Sequence, residues 1–468
     1  MEKLDNGNME SLTDKDQNNA ISPEKKKKRL MIIIIVVSCI VVVTVVVVLC
    51  VVLTRKKYDE NNLYGCMCDA GSSSTRVSVY HWPKRVTNNI PVISEKGRTS
   101  TSPGMHTKND NEIKEAMSIL INYCRDKVNE VSDKKANLSD VNFYLKATAG
   151  MRSISVEEQN KKLDVIRKSI RESELKFLKD DWAKVITGIE EGTFGWITGN
   201  YLNKVLFDNE KAGKIDVLPY GSIDLGGYSL EITFYTNETI KEHSANLSMS
   251  NLMYPLYSYS FQNYGQDKFN EALMKSFIDS SEPNSTIIKF PCYLNGYNMS
   301  KVFDGINYTF VGEVNIEICK KSIRNLMHIN DEKEKSMNDI YQPKIPDNMT
   351  FYGISGLYWI AHFYDMDDDE FHAPSEFLNI TEEFCKKNWE DAKKEYKSKV
   401  EEVHLKDYCI SGFYVYYFLA EGFKIDKDKK LIKYPEKING VEVSWTLGAM
   451  TYEIGLQPFK DAKLYIEY

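Results

Sequence analysis

Two short segments of this chain follow one plan. Leu63-Tyr64-Gly65-Cys66-Met67-Cys68 reads as a strand, and it runs into the polar turn Asp69-Ala70-Gly71-Ser72-Ser73-Ser74. Alternation then resumes, with Val77 and Val79 on one face and Ser78 and Tyr80 on the other. Much later, Ser222-Ile223-Asp224-Leu225-Gly226-Gly227 leads into Leu230, Ile232 and Phe234, which alternate with Glu231 and Thr233. Each segment is strand, tight Asp-x-Gly turn, strand. One domain copy per turn is the simplest account, with a cleft between the copies.

The sequence between the turns fits that account. Ile113, Met117, Leu120 and Ile121 give residues 111–130 a helical face, and residues 156–179 also read as helix. Strands are expected at 141–145 and 182–186, and a helix at 196–206. Strands alternating with helices, with glycine turns at strand ends, point to an α/β fold. Residues 84–110 read as a loop. Residues 240–350, rich in Tyr, Asn and Ser, read as irregular structure. Residues 351–364 and 409–422 are apolar enough for buried helices, and 433–440 form a turn-rich link.

The N-terminus has another character. Leu30 to Leu53 is 24 residues without a charge. As a helix rising ~1.5 Å per residue it would cross a ~30 Å hydrocarbon core. Its Val and Ile content would favour strand in water, but in lipid a helix satisfies every backbone group internally. A secretory leader has a shorter apolar region and a small-residue cleavage site, which is not evident here. Lys25 to Arg29 precede the run and Arg55, Lys56 and Lys57 follow it, a bias that favours a cytoplasmic N-terminus. The expected layout is a cytoplasmic tail over 1–29, a signal anchor over 30–53 and a stalk over 54–62. Asn-x-Ser/Thr acceptors at Asn137, Asn237, Asn246, Asn284, Asn298, Asn307, Asn348 and Asn379 all follow the run. They agree with a single-pass type II protein whose outer part is extracellular or lumenal.

Composition removes other classes. Mean hydropathy is −0.41, which excludes a polytopic membrane protein. Net charge is −7, which argues against an electrostatic nucleic-acid binder. Of the nine cysteines, Cys39 and Cys50 lie in the apolar run; the odd number outside leaves at least one thiol unpaired within the chain. Cys66 and Cys68 have the wrong spacing for zinc, and no HExxH occurs.

The two turns can carry chemistry together. Turn N–H groups and hydroxyls can wrap a phosphate. Carboxylates on facing turns can hold a divalent cation through its waters, as magnesium prefers. The GxxxxGK[ST] loop is absent, so nucleotide chemistry would need another scaffold. Glu190-Glu191-Gly192 at a strand end could aim one carboxylate at the cleft, although spacing alone favours an exposed acidic turn. Ser229 shares a face with Glu231 and reads either as a second water ligand or as a polar edge residue.

Five segments in order resemble the apyrase-conserved regions of the ecto-nucleoside triphosphate diphosphohydrolases. They are DAGSSSTRVSVYHWP (Asp69 to Pro83), KATAGMR (Lys146 to Arg152), GIEEGTFGWITGNYL (Gly188 to Leu202), IDLGGYSLEITF (Ile223 to Phe234) and KINGVEVSWTLGAM (Lys437 to Met450). The resemblance implies two actin-like, ribonuclease-H-like lobes with the active site in the cleft. The first lobe would be 63–187 completed by 441–468, and the second 188–440. It implies hydrolysis of the terminal phosphate of nucleoside tri- and diphosphates with Ca2+ or Mg2+. Glu191 would be the general base and Ser229 would position the water. Asp69, Asp224 and Glu231 would hold the cation through water. Ser72, Ser73, Ser74, Arg76, Thr148, Gly226 and Gly227 would meet the phosphates. Trp359 would stack on the base, with His404 on its other side. The resemblance also implies disulfides Cys292–Cys319 and Cys385–Cys409, with Cys66, Cys68 and Cys124 left over. Departures are Glu231 for the family's Gln, Tyr228 for Ala after DLGG, and Ser74 for the His of cell-surface members. Golgi and cell-surface residence both stay open, as does oligomeric state. A sugar kinase or exopolyphosphatase of related fold is the alternative enzyme, which the Glu-Glu-Gly and Gly-Met-Arg segments oppose. A catalytically inactive glycosylated ectodomain is the alternative without chemistry.

Overall fold

The structure is a computed structural model that describes residues 23–59, 62–84, 91–206, 218–249, 252–329, 332, 334–455 and 464–467. Residues 1–22 of the expected tail over 1–29, and residues 60–61 of the expected stalk, lie outside the described residues. The chain forms two compact units, Met1–Asn61 and Asn62–Tyr468. In the first, helix α1 (Pro23–Asp59) extends beyond the apolar run at both ends, through the basic cluster and into the stalk. Its Lys27–Cys50 stretch has a mean hydropathy of 3.6 and is fully exposed in the protein, as a helix that sheds its apolar surface into lipid would be.

The second unit opens with the first Asp-x-Gly hairpin, β1 (Asn62–Ala70) and β2 (Thr75–Pro83). Then follow β3 (Ser94–Thr101), α2 (Asp110–Val131), β4 (Asn142–Ala147), the short α3 (Ala149–Arg152), α4 (Val156–Arg171) and β5 (Ala183–Val185). These strands make one sheet in the order β3-β2-β1-β4-β5, with β4 parallel to β1. Helix α2 starts where Asn109 and Glu112 form a reciprocal capping box. Its buried face, Ile113, Met117, Leu120, Cys124 and Val128, joins the core that Cys66, Cys68, Val77, Val79, Leu145, Leu163 and Ile166 complete.

Helix α5 (Gly188–Leu202) leads to the second hairpin, β6 (Gly221–Leu225) and β7 (Ser229–Tyr235). Next come β8 (Ser244–Met249), β9 (Leu252–Gln262), α6 (Gln266–Asp279), the small sheet of β10 (Ile287–Phe290), β11 (Asn298–Phe303) and β12 (Ile306–Gly312), and α7 (Ile316–Leu326). After β13 (Phe351–Ser355) and α8 (Gly356–Phe363) come α9 (Pro374–Cys385), α10 (Trp389–Tyr396), α11 (Glu402–Leu405) and α12 (Tyr408–Tyr416), the last continuing as π-helix through Gly422. The chain ends in β14 (Ile432–Lys433), β15 (Lys437–Ile438), β16 (Val441–Glu442), α13 (Trp445–Gly455) and β17 (Leu464–Glu467). The second large sheet runs β14-β13-β6-β7-β9-β8-β17. Two sheets of mixed direction, each opened by an Asp-x-Gly hairpin, make the two lobes of an α/β fold.

Helices α5 and α13 join the lobes. A Cβ at Gly188 would lie 2.1 Å from Ser260 Cβ, and one at Gly192 2.5 Å from Thr233 Oγ1, so α5 lies directly on β7 and β9. On its other side, Gly448 approaches so closely that a Cβ would stand 1.9 Å from the Phe194 carbonyl oxygen. There the Gly448 N–H donates to Thr198 Oγ1 at 2.8 Å. Of the segment 441–468, α13 packs on α5 and β1, whereas β17 pairs with β8 of the second sheet; residues 456–463 and 468 lie outside the described residues.

Several expectations need correction. The 84–110 loop contains β3, whose Ser-Glu-Lys-Gly-Arg-Thr-Ser-Thr sequence lacks an apolar alternation because it is an edge strand paired only with β2. Within 240–350 lie β8 to β12, α6 and α7; their cores draw on Tyr, Phe and Met rather than on aliphatic runs. Residues 351–355 are strand, paired parallel to β6, with helix only afterwards. Helix α5 begins at Gly188 rather than Trp196, because Thr187 and Glu190 make a capping box that starts it early. The two expected disulfides are present, and Cys66–Cys124 is a third, tying β1 to α2. Cys68, buried on the same strand face as Cys66, stays a free thiol.

Candidate active site

The two Asp-x-Gly turns face each other at the ends of their hairpins. A Cβ at Gly227 would lie 2.7 Å from Ser72 Oγ, so the loops approach to within one methyl group. The Ser72 loop is backed by Gly104 and Gly150, where a Cβ would meet Ser72 O at 2.4 Å and Ser72 Cα at 2.9 Å. Thr148 donates its backbone N–H to Ala70 O at 3.2 Å, which brings the Lys146–Arg152 segment against the first turn. Glycine is required at these positions for close approach, since no φ there lies in the left-handed region.

The capping box separates the two adjacent glutamates. Glu190 accepts from the Thr187 N–H at 2.8 Å and from Lys184 Nζ at 2.6 Å, so it serves the helix start. Glu191, one residue on, turns into the cleft and is 7% exposed, not the acidic surface turn that spacing favours. Arg152 Nη1 lies 2.8 Å from Glu191 Oε2. Arg152 Nη2 reaches Ser229 Oγ at 3.4 Å and Glu231 Oε1 at 3.6 Å, and Ser260 Oγ donates to Glu231 Oε1 at 2.7 Å. Arg152 Nε also donates to Gln262 Oε1 at 3.3 Å, and Gln262 Nε2 donates to Ala149 O at 3.1 Å. One guanidinium thus gathers Glu191, Ser229 and Glu231. Reading motif by motif finds Arg152 only as the end of Gly-Met-Arg; its signal is a lone arginine following a strand and a Gly turn.

Glu191, Asp224 and Glu231, which are buried, and the half-buried Asp69 form an acidic set whose members disfavour one another's charge. Burial pushes the Asp69 carboxyl up to about 7; Arg76, opposite it in the β1–β2 register, pulls it down, and Glu191 and Asp224 push it further up. Asp224 also rises to about 7, chiefly by burial and then by Glu191, with a hydrogen bond to Ser355 opposing. Burial raises Glu191 against the pull of Arg152. Glu231 stands well above the usual carboxylate range through burial, Glu191 and Asp224, with Arg152 and Ser229 opposing. A divalent cation would relieve this repulsion, and Asp69 Oδ1 is a buried acceptor without a hydrogen-bond partner. Among the described residues, no three acidic, histidine or cysteine side chains group tightly enough to hold a bare ion. Glu231 differs from Asp69 in having Arg152 and Ser260 as partners.

The remaining expected residues lie in the two turns, on β2, at the start of α3, and on α8 and α11. Ser72 and Ser74 are half-buried and Ser73 is exposed in the first turn; Gly226 and Gly227 form the second turn, where the Gly226 N–H donates to Ser229 O at 3.0 Å. Trp359 is 62% exposed on α8, which rules out the core role that its apolar context allowed. Its ring stands edge-on to Tyr358 at 4.9 Å, and His404 is exposed on α11. Ser355, the N-cap of α8, has φ 58° and ψ −119°, a strained conformation for a residue with a side chain. It joins Asp224 to α8, and no periodicity marks it in advance.

The profile of the GDA1/CD39 (nucleoside phosphatase) family matches residues 55–464. The chain belongs to that family. It is 31% identical to bovine ectonucleoside triphosphate diphosphohydrolase 1 over 432 residues, covering 84% of this chain and 82% of that protein. It is 28% identical to mouse ectonucleoside triphosphate diphosphohydrolase 3, covering 83% and 77%, and 29% identical to Arabidopsis thaliana probable apyrase 4, covering 82% and 78%. Among solved structures, the nucleoside triphosphate hydrolases from Neospora caninum share the fold, with a TM-score of 0.62 at 13% identity over 87% of this chain and 96% of that one. The chain is therefore a nucleoside phosphatase, and its fold is that of the Neospora caninum structure.

Proposed function

We infer that this protein is a membrane-anchored apyrase that hydrolyses the terminal phosphate of nucleoside tri- and diphosphates with Ca2+ or Mg2+. The observation that carries this reading is the convergence of Glu191 and Ser229 on Arg152 between the two Asp-x-Gly turns. Asp69 and Asp224 would hold the hydrated cation, which when bound supplies positive charge opposite the phosphates. Ser72, Ser73, Ser74, Thr148, Arg76 and the Gly226–Gly227 turn would take the phosphate oxygens, by hydroxyls, guanidinium and backbone N–H groups. Ser229 Oγ would hold the attacking water and Glu191 would accept its proton. Arg152 fixes the carboxylate's direction and Glu231 anchors Arg152 from behind. A mildly acidic chain that binds polyphosphate needs such a cation and such N–H groups rather than a basic surface.

Trp359 and His404 would flank the base, and stacking between flat groups accepts any base without reading its edge. Helix α1 would anchor the chain as a type II protein. Seven of the eight glycosylation acceptors are exposed and Asn246 is half-buried, which supports an outward second unit. The test is a substrate panel on the purified protein, with ATP, ADP, UDP and GDP and with calcium and magnesium separately. Phosphate release that ceases in chelator supports the reading; phosphate transfer to an added sugar instead of water would replace it with a kinase.

A further inference from the structure

Tyr228 stands where the resembling family has alanine, directly after Gly227 in the second phosphate loop. Its side chain leaves its own lobe. The phenol oxygen lies 3.3 Å from His106 Nε2, and the two rings meet edge-on with centroids 5.2 Å apart. His106 belongs to the first lobe, in the segment Met105–Thr107 that follows Gly104. That segment is the backing of the first phosphate loop: Gly104 abuts Gly71 and Ser72, and Gly150 abuts both His106 and Ser72. His106 is 8% exposed and fixed by this packing.

Tyr228 is held equally firmly from its own side. Backbone N–H groups of Gln266 and Asp267, at the start of α6, donate to Gly226 O and Gly227 O, each at 2.9 Å. Lys268 Nζ stands 4.5 Å from the centre of the Tyr228 ring. Glu271 ties that ammonium at 2.9 Å and also takes Lys301 at 2.9 Å. A rigid platform on the second lobe therefore presents a phenol to a rigid histidine on the first, beside the gap between Ser72 and Gly227.

We propose that Tyr228 is a positioning residue that sets the separation of the two phosphate loops by bridging to His106 across the cleft. The proposal rests on the reading that these loops hold the nucleotide's phosphates. It has a consequence for specificity. A triphosphate offers more phosphate oxygens with which to draw the loops together than a diphosphate does. Diphosphate turnover therefore depends more on the protein's own bridge.

The test measures kcat/KM for a nucleoside triphosphate and the matching diphosphate in the full-length wild type, Tyr228→Phe, His106→Asn and the double variant. Tyr228→Phe removes one oxygen and keeps the ring over Lys268; His106→Asn attacks the same bridge from the other lobe. Each single variant should raise the triphosphate-to-diphosphate ratio by about fivefold, the size of one neutral hydrogen bond. The double variant should raise it no further, because both changes break one contact. An unchanged ratio in the single variants, or multiplicative effects in the double, would overturn the proposal. Loss of stability alone lowers both rates together and leaves the ratio where it was. Wild-type protein that turned over neither nucleotide would overturn the functional reading itself.

Discussion

Nη1 of Arg152 lies 2.8 Å from Oε2 of Glu191, and this contact joins the first lobe's Gly-Met-Arg segment to the first turn of α5. Arg152 is 17% exposed and Glu191 9% at the side chain, so the pair is shielded from solvent. Replacing Arg152 by Lys keeps a charge but loses the planar fork that serves Glu191, Ser229 and Glu231 at once. The expected result is a fall in kcat of about 10- to 100-fold with a smaller change in KM. Arg152→Met should also cost about 3 kcal/mol of stability, because Glu191 and Glu231 lose their cation. Denaturant titration beside steady-state kinetics checks both.

The acidic set predicts an inverted stability profile in chelator. Folding raises the Asp69 and Asp224 carboxyls from 3.8 to about 7, so between those values the folded state binds more protons than the unfolded one. Stability contributed by these groups is therefore lost as pH rises through that window. Thermal melts in chelator should show a lower Tm at pH 8 than at pH 5, with a shallower decline in Asp224→Asn. Added divalent cation should restore Tm at pH 8. A Tm that rises with pH in both proteins would contradict the assignment.

Helices α5 and α13 meet through glycine. A Cβ on Gly448 would stand 1.9 Å from the Phe194 carbonyl oxygen, a backbone atom that cannot rotate away. Gly448→Ala should destabilise the protein by about 1–3 kcal/mol by overpacking. A Tm equal to that of wild type would show that the helices can separate without cost.

The two hairpins and their helices were legible because a period of 2 broken by Asp-x-Gly is a local signal. Glu191 was legible only in part. Thr187 and Glu190 carry a capping-box pattern, and recognising it assigns Glu190 to the helix start and leaves Glu191 for the cleft. Arg152 comes from α3 and Ser260 and Gln262 from β9, far apart in the chain, and they meet only in the folded protein. Ser355 is defined by a backbone angle, which no side-chain pattern encodes. Strand β3 was hidden because an edge strand with polar residues lacks the alternation that burial imposes. The Cys66–Cys124 bridge is not legible in the sequence because pairing depends on which strand face α2 covers.

Outward placement of the second unit predicts glycans on several of the exposed acceptors, Asn137, Asn237, Asn284, Asn298, Asn307, Asn348 and Asn379. Native protein should lose mass on enzymatic deglycosylation. In sealed membrane vesicles, the N-terminal tail and the catalytic unit should be digested from opposite sides. Digestion of both from one side would contradict the type II layout.

The central claim is that Glu191 accepts the proton of a water held by Ser229. The most direct measurement is phosphate release by Glu191→Gln with ATP and ADP at saturating calcium or magnesium. A side chain of the same shape without basicity should lower kcat by about 100-fold or more, the usual contribution of a general base, while nucleotide binding persists. Full activity in Glu191→Gln would contradict the mechanism.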